Sequence, residues 1–451
     1  MADADVIVLG MGPGGEEVTN RCAEAGLRVT GIEAKLVGGE CPYWGCVPSK
    51  VMVRAADSLA ESARAIGLAG SLSITPEWSK VAARVREVTS DWDDESSVKR
   101  HQDKGTTVIQ GRARLAGPRA VSIDGVIHQA ERGVVIATGT EPATPPVDGL
   151  SDVTYWTNRE AIEATEVPGR LVVLGAGAIG LELAQVFHRF GSKVTVVEFA
   201  PQALPLEEPE NGEAIAEVFT DEGITMRVGV GAQKITAGDG GSVHVELSDG
   251  SSLDADRLLV ATGRRSDLAA IGVVTVDLDP DAHAIEVDEH MRAGDGLWAV
   301  GDVTGKGGFT HVATYQGRIA AADILGMPQA GADYSAVPRV TFTDPEVASV
   351  GLTQRQAEEA GIHTKVGVSD TGSSSRGYIH GPGAERGVIK LVADADRGVL
   401  VGGSVMSPAA GEVLGMLVLA VRAQVPIQSL KDLIYPYPTF VRGLESSLAQ
   451  L

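Results

Sequence analysis

The sequence predicts an α/β fold in which two Rossmann-like dinucleotide-binding domains precede a C-terminal α+β domain. Three observations carry this. The stretches VIVLGMGPGGEEVTNRCAEAGLRVTGIE (6–33) and LVVLGAGAIGLELAQVFHRFGSKVTVVE (171–198) repeat one pattern: buried strand, G-x-G-x-x-G turn, helix, second strand ending in Glu. The third Gly and that Glu are 18 positions apart both times, Gly15 to Glu33 and Gly180 to Glu198. Residues 336–451 read differently, as sheet strands with helical runs near 353–360 and 411–423.

Each fingerprint has a physical reading. Gly10, Gly12 and Gly15, with Pro13 and Gly14 in the same turn, open the first helix; Gly175, Gly177 and Gly180, with Ala178 and Ile179, open the second. The glycines permit a tight turn and let the backbone approach a pyrophosphate, which the helix N-terminus then receives. Glu33 and Glu198 end the second strands, where a carboxylate accepts from a ribose hydroxyl. A second repeat supports the pairing. GVVIATGTEP (133–142) and LLVATGRRS (258–266) are each a strand entering a Gly turn downstream of its fingerprint. Segments around 51–66 and 76–104 form a helix-prone insertion in the first fold. GLWAVGDV (296–303) is a strand ending in Gly301 and Asp302, at the end where ligands bind in open α/β sheets. SDTGSSSRGYIHGPGAERG (369–387) reads as a loop.

Composition narrows the function. A net charge of −22 disfavours nucleic acid and anionic membrane surfaces. The longest apolar run, VLGMLVLAV (413–421), is shorter than the roughly 20 residues of a membrane span. With no leader-like segment at the start, a cytoplasmic protein is expected.

There are 3 cysteines, too few for a disulfide scaffold. Cys22 lies in the helical stretch EEVTNRCAEAG and is expected to be a buried apolar residue. Cys41 and Cys46 stand in GGECPYWGCVPSK (38–50). Zinc needs about four ligands; here there are two thiols, and the nearest His in sequence is His101, so no metal site is expected. Residues five apart on a regular helix lie roughly 8–9 Å apart, whereas a disulfide needs about 4.4–6.8 Å between Cα atoms. The chain between them must therefore leave the helical path, and Pro42 and Gly45 suit that. Placed directly after the first fingerprint, the pair reads as a dithiol beside a flavin, able to pass two electrons that a nicotinamide at the second fingerprint supplies.

These residues resemble the flavoprotein disulfide reductase family over essentially the whole chain. The motifs are the first fingerprint with Glu33, the C-x4-C-x-P-S-K run of Cys41, Cys46, Pro48, Ser49 and Lys50, the second fingerprint, VATGRR, Gly301-Asp302 and VPRVTFTDPEVASVGLT. The resemblance implies an FAD enzyme that oxidises NAD(P)H, with 1–145 as the first part of an FAD-binding domain, 146–264 as the NAD(P)-binding domain, 265–335 completing the FAD site and 336–451 as an α+β dimerisation domain. It makes Cys46 the flavin-side, charge-transfer thiolate and Cys41 the interchange thiol. Lys50 is to sit near the flavin and pair with Glu182, Asp302 to bind the ribityl chain, and Glu33 the adenosine ribose. Further FAD contacts are implied at Ala34, Lys35, Gly39, Glu40, Gly45 and Ala113, at Ala137, Thr138 and Gly139, and at Val312 and Ala313. Gly263 and Arg264 join the cofactor contacts from the later strand. A homodimer with a shared active site and a small-molecule substrate are implied as well.

The chain departs from the family at its end. The family carries H-x-H-P-T and a later Glu, whose second His is the acid–base of thiol–disulfide exchange; here the stretch is YPYPTFVRGLE (435–445). Tyr437 takes the place of that His and Arg442 of that Glu. Tyr in this place resembles mercuric reductase, yet no Cys follows Cys46. Glu40, Tyr43 and Trp44 also depart from the usual residues near the first thiol. The substrate is therefore left open between a disulfide, a mercuric ion and a quinone. A redox sensor without turnover is separated from these by steady-state NADH oxidation with added acceptors. Glu198, with no Arg in EFAPQALP (198–205), favours NAD(H) over NADP(H).

Overall fold

The computed structural model describes residues 2–451. The chain divides into two compact units, one made of the chain up to Pro48, Val85–Ala143 and Arg264–Asp333, the other of Ser49–Arg84, Thr144–Gly263 and Tyr334–Leu451.

The first unit is built on a sheet with strand order Arg292–Gly294, Leu297–Ala299, Val126–Ile136, Ala4–Leu9, Val29–Glu33, Thr107–Gln110. Ala4–Leu9 is central and pairs in parallel on both sides, Val6 with Val29 and Val8 with Val135. Its Val/Ile/Leu run suits a strand buried on both faces. Val126–Ile136 has two halves. Its exposed beginning pairs antiparallel with Ala120–Ile123, and its buried end joins the parallel core. Gly133 is where the strand meets its neighbour, because a Cβ there would lie 2.1 Å from the Gly296 carbonyl oxygen. The helix Pro13–Glu24 buries Val18, Thr19 and Cys22. Burial pushes the Cys22 thiol up to about 12, so it is an inert core residue. This helix runs close against Thr310–Ile324: a Cβ on Gly317 would lie 2.8 Å from the Gly14 carbonyl oxygen.

The second unit contains a parallel sheet ordered Thr225–Val228, Lys193–Glu198, Arg170–Leu174, Arg257–Val260, and the antiparallel strands Ala232–Ala237, Val243–Leu247 and Ser252–Ala255. It also contains a five-stranded antiparallel sheet ordered Pro338–Thr341, Glu346–Gly351, Val399–Ser407, Val388–Asp394, Thr364–Asp370. The apolar run 413–421 lies in the helix Ala410–Arg422, whose Leu414, Leu417 and Val421 share a core with Ile389, Leu391 and Val405. No helix of the described residues is long and apolar enough to cross a membrane.

One expectation is corrected. The stretch 369–387 is not all loop: Ser375–His380 is a helix, capped by the Ser374 hydroxyl accepting from the Gly377 N–H at 3.0 Å. Ser and Gly density reads as a turn, but a Ser at the N-cap position also starts a helix.

Candidate redox and nucleotide sites

The two glycine turns are built alike. A Cβ on Gly10 would lie 2.4 Å from the Ala137 carbonyl oxygen, and one on Gly175 2.4 Å from that of Ala261. A Cβ on Gly15 or Gly180 would lie 2.0 Å from the carbonyl oxygen of Gly10 or Gly175. The first and third glycines are thus required by the protein's own packing. The middle ones are not: a Cβ on Gly12 would meet nothing nearer than 3.9 Å, and one on Gly177 nothing within 4 Å. A group lying against the backbone explains them, and both helices begin there without a side-chain cap, leaving N–H groups for it. The residues present fit two dinucleotides.

The acids are also placed alike. Glu33 accepts from the Met11 N–H at 2.7 Å and the Lys35 N–H at 2.8 Å; Glu198 accepts from Ala176 at 2.7 Å and Ala200 at 2.8 Å. Burial raises the Glu33 carboxyl above its ordinary range, against the pull of these amides. Gly39 lies against the first turn, since its Cβ would stand 2.8 Å from the Gly12 Cα. Lys35 pairs with Glu141 at 2.6 Å. Ala137 donates to the Leu9 carbonyl at 2.7 Å, which fixes Thr138 and Gly139 beyond it. Gly111 donates to the Glu33 carbonyl at 2.8 Å, so the strand Ala113–Leu115 sets out from the acid's end of the sheet.

Asp302 belongs to a chain of polar contacts. Its Oδ2 accepts from the Thr140 hydroxyl at 2.9 Å; that oxygen accepts from Arg264 Nε at 2.9 Å, and Arg264 Nη1 stands 3.7 Å from Glu40. Gly301 donates to Gln316 Oε1 at 2.6 Å. Val312 and Ala313 lie in the same helix as Gln316, buried. Thr140 and Gln316 were not singled out from the sequence. Thr140 is adjacent to Gly139, which was a signal; Gln316 carried none.

The dithiol segment leaves the helical path where the geometry demands it. Cys41 is in the short helix Glu40–Tyr43, Trp44 and Gly45 break it, and Cys46 opens the helix Cys46–Leu68. Pro42 stays within the short helix, so the break rests on Gly45, whose Cβ would lie 3.0 Å from the Glu40 carbonyl oxygen. Cys41 is half-buried and Cys46 exposed, with no disulfide between them. The Cys41 thiol is held well above the ordinary thiol range, first by its hydrogen bond to Cys46 and second by burial. Cys46 sits at the positive end of a 23-residue helix, which favours an anion there. Thr310 Oγ1, unforeseen from the sequence, is 3.4 Å from Cys46 Sγ.

In the second unit Lys50 Nζ is 2.7 Å from Glu182 Oε2, 4.7 Å from the Phe342 ring centre, and lines a cavity of about 290 Å³. Glu182 is buried, and its other oxygen accepts from the Phe342 N–H at 2.9 Å. Two further pairs repeat the contact at seven-residue steps: Asp57 to Arg189 at 2.7 Å and Arg64 to Asp344 at 2.7 Å. Arg189 also meets Glu222 at 2.5 Å and Asp344 at 2.9 Å. Burial raises the Asp57 carboxyl to about 6 despite Arg189. A carboxyl raised on folding opposes folding when ionised, so this penalty is full above pH 6 and gone below its unfolded value near pH 4. Asp57→Asn keeps an oxygen for Arg189, which retains two carboxylates. It is expected to be more stable than wild type at pH 8 by about 1–3 kcal/mol, the lower end allowing for solvent screening. Thermal melts should show the gap closing between pH 6 and pH 4; a variant less stable at pH 8 would contradict this.

Tyr437 is exposed. Its hydroxyl donates to Ser375 Oγ at 3.1 Å, and the Arg442 guanidinium lies 4.9 Å from its ring centre while pairing with Glu445 at 2.8 Å. Ile179 and Gly263 lie at the second-fingerprint end, Ile179 exposed and Gly263 at φ 125°.

Comparison with known proteins agrees with this construction. Residues 4–317 match the pyridine nucleotide-disulphide oxidoreductase family and residues 337–447 its dimerisation domain. A mercuric reductase of Staphylococcus aureus is 32% identical over 98% of this chain and 81% of its own length. A dihydrolipoyl dehydrogenase of Thermus scotoductus is 35% identical over 98% of this chain and 96% of its own. Among solved structures, the HOCl-induced flavoprotein disulfide reductase RclA of Escherichia coli superposes with a TM-score of 0.85 at 26% identity, covering 99% of both chains. LpdA of Mycobacterium tuberculosis gives 0.85 at 25% identity, covering 98% of both. Matched over nearly its whole length by sequence and by structure, the chain belongs to the pyridine nucleotide-disulphide oxidoreductase family.

Proposed function

We propose that this FAD- and pyridine nucleotide-dependent oxidoreductase takes electrons from NADH and delivers them to the Cys41–Cys46 pair, with Cys46 on the flavin side and Cys41 on the substrate side. The observation that carries this is the inequality of the pair: Cys41 is half-buried with its thiol held above the ordinary range, whereas Cys46 is exposed and opens a long helix. Bound FAD supplies a two-electron link between nicotinamide and disulfide. The balance closes on the protein side: hydride and a disulfide give one thiolate and one thiol, and the geometry favours Cys46 for the first and Cys41 for the second. Asp302, Glu33 and the first turn hold the FAD in this reading. The match to a dimerisation domain supports a homodimer. The four-domain division with borders near 146, 265 and 336 is part of this proposal.

The nucleotide choice rests on Glu198. Its carboxylate is fixed by two backbone amides at the ribose end of the second sheet, where it accepts from a 2′-hydroxyl and repels a 2′-phosphate. NADH is expected to reduce the flavin faster than NADPH at equal concentration in stopped flow. Faster reduction by NADPH would overturn the assignment.

A second reading is favoured by Tyr437, which stands exposed in place of a His. Electrons then leave without a protein base, to a mercuric ion or a quinone. Purified enzyme tested with NADH against disulfides, quinones and mercuric salts decides between them. No NADH oxidation with any acceptor would remove both readings.

A further inference from the structure

Three consecutive residues, none of them glycine, stand in the left-handed region: Ser90 at φ 51°, Asp91 at 53° and Trp92 at 59°. A Cβ crowds the backbone there, so residues other than glycine visit it singly and not in runs. The run follows the helix Trp78–Val88. One left-handed residue is enough to stop a helix, so stopping this one does not account for three. Trp92 donates to the Thr89 carbonyl at 2.9 Å and Asp93 to that of Ser90 at 3.0 Å, which closes the turn on itself. Strain of this kind persists where the surroundings over-determine it.

Those surroundings include the dithiol segment. Trp92 Nε1 donates to the Tyr43 carbonyl at 3.2 Å, and Asp94 Oδ2 accepts from the Val37 N–H at 2.7 Å. Val37 and Tyr43 lie on either side of Cys41 in sequence, and both are buried. They are also joined to each other, the Tyr43 hydroxyl donating to the Val37 carbonyl at 3.2 Å. Tyr43 ends the short helix Glu40–Tyr43 that carries Cys41. The last carbonyls of a helix have no partner within it, and a helix of four residues cannot hold its own shape. Cys41 therefore stands where these outside bonds put it.

We infer that Trp92 is a positioning residue of the dithiol: the left-handed turn brings its indole to the Tyr43 carbonyl and, with Asp94, clamps the segment that holds Cys41 within reach of Cys46. The inference rests on the redox role proposed for the pair, and it names what sets the approach of the two thiols. The effect is one of proximity. A disulfide forms only over a narrow range of separations, and thiols held close in the dithiol state close at a higher effective concentration than loose ones. Against glutathione disulfide, closing the pair forms the Cys41–Cys46 bond, breaks the glutathione S–S bond and passes two electrons and two protons to give two glutathiones. Freeing Cys41 moves this balance toward the dithiol. The net contribution of one neutral hydrogen bond corresponds to about a 2- to 12-fold change in the equilibrium constant.

The test equilibrates the holoenzyme anaerobically with graded ratios of glutathione and glutathione disulfide. Free thiols are then trapped by alkylation and counted by mass on the peptide that holds Cys41 and Cys46. Trp92→Phe keeps a ring and removes the donor. It is expected to shift the balance toward the dithiol by about 2- to 12-fold, or about 10–30 mV for a two-electron couple. Trp78→Phe removes the same kind of bond elsewhere, from the indole to the Ala164 carbonyl at 2.9 Å, and should leave the balance unchanged. Asp91→Gly, free to stay left-handed, should match wild type, whereas Asp91→Val, β-branched, should shift as Trp92→Phe does. An unshifted balance in Trp92→Phe would overturn the inference, as would an equal shift in Trp78→Phe, which marks general loosening. Asp91→Val behaving as wild type would remove the left-handed turn from it. A wild-type enzyme that forms no Cys41–Cys46 disulfide at any ratio would refute the redox role of the pair, and the inference with it.

Discussion

Replacing Cys46 with Ser is expected to abolish the long-wavelength absorbance of the NADH-reduced enzyme, and replacing Cys41 with Ser to keep or strengthen it. The two thiols are chemically unequal before any ligand is considered. Cys41 is half-buried and its thiol is raised, first by its hydrogen bond with Cys46 and then by burial; Cys46 is exposed and sits where the dipole of a long helix favours a thiolate. The band requires an anionic sulfur against the flavin. Cys46→Ser removes it, whereas Cys41→Ser removes only the alternative partner and traps the thiolate. Both variants should lose turnover with any acceptor that needs the dithiol, and both should keep whatever quinone reduction proceeds at the flavin itself. Anaerobic titration with NADH, recorded as spectra, reads the outcome. If Cys41→Ser loses the band and Cys46→Ser keeps it, the roles are reversed.

What the sequence made legible here follows from the range over which each feature is encoded. The glycine turns are local. Their steric demands fall within a few residues or on one neighbouring strand, as Gly15 against the Gly10 carbonyl shows, so spacing alone announces them. The break between Cys41 and Cys46 was also derivable, because helix geometry and disulfide geometry conflict over five residues. Its location at Gly45 rather than Pro42 was not, since it depends on how closely that backbone folds over Glu40.

Other features are tertiary. Thr310 reaches Cys46 across 264 positions and Thr140 reaches Asp302 across 162, and no periodicity records such meetings. The steps from Lys50 to Asp57 and Arg64 lie on one helix face, but charged residues at helical spacing read equally well as a solvated face. Only the presence of Glu182, Arg189 and Asp344 opposite them makes the stripe an ionic ladder. The helix Ser375–His380 was missed because six residues with Gly and Ser carry too little periodicity to outweigh turn composition.

Turnover of lipoamide or glutathione disulfide at neutral pH is expected to be low, by about 10²–10⁴-fold relative to an enzyme with a positioned base. Thiol–disulfide exchange requires Cys41 to lose a proton each cycle, and the hydrogen bond to Cys46 together with burial makes that loss difficult. An ordinary Tyr, with a reference pKa of about 10, is a poor base at pH 7. The surroundings of Tyr437 also differ from those of a catalytic His. A His base needs a third group to orient it, whereas the Tyr437 hydroxyl is bonded to Ser375 and its ring faces the Arg442 guanidinium. Two results are therefore expected. Tyr437→Phe should leave flavin reduction by NADH unchanged, because hydride transfer does not use this position. Tyr437→His alone should recover little disulfide turnover, because Arg442 stands where the orienting carboxylate is needed; Tyr437→His combined with Arg442→Glu should recover most of it. Rates with lipoamide and with NADH alone, measured on all three variants, check each step. Robust wild-type lipoamide turnover at pH 7 would refute the argument and would mean that another group accepts the Cys41 proton.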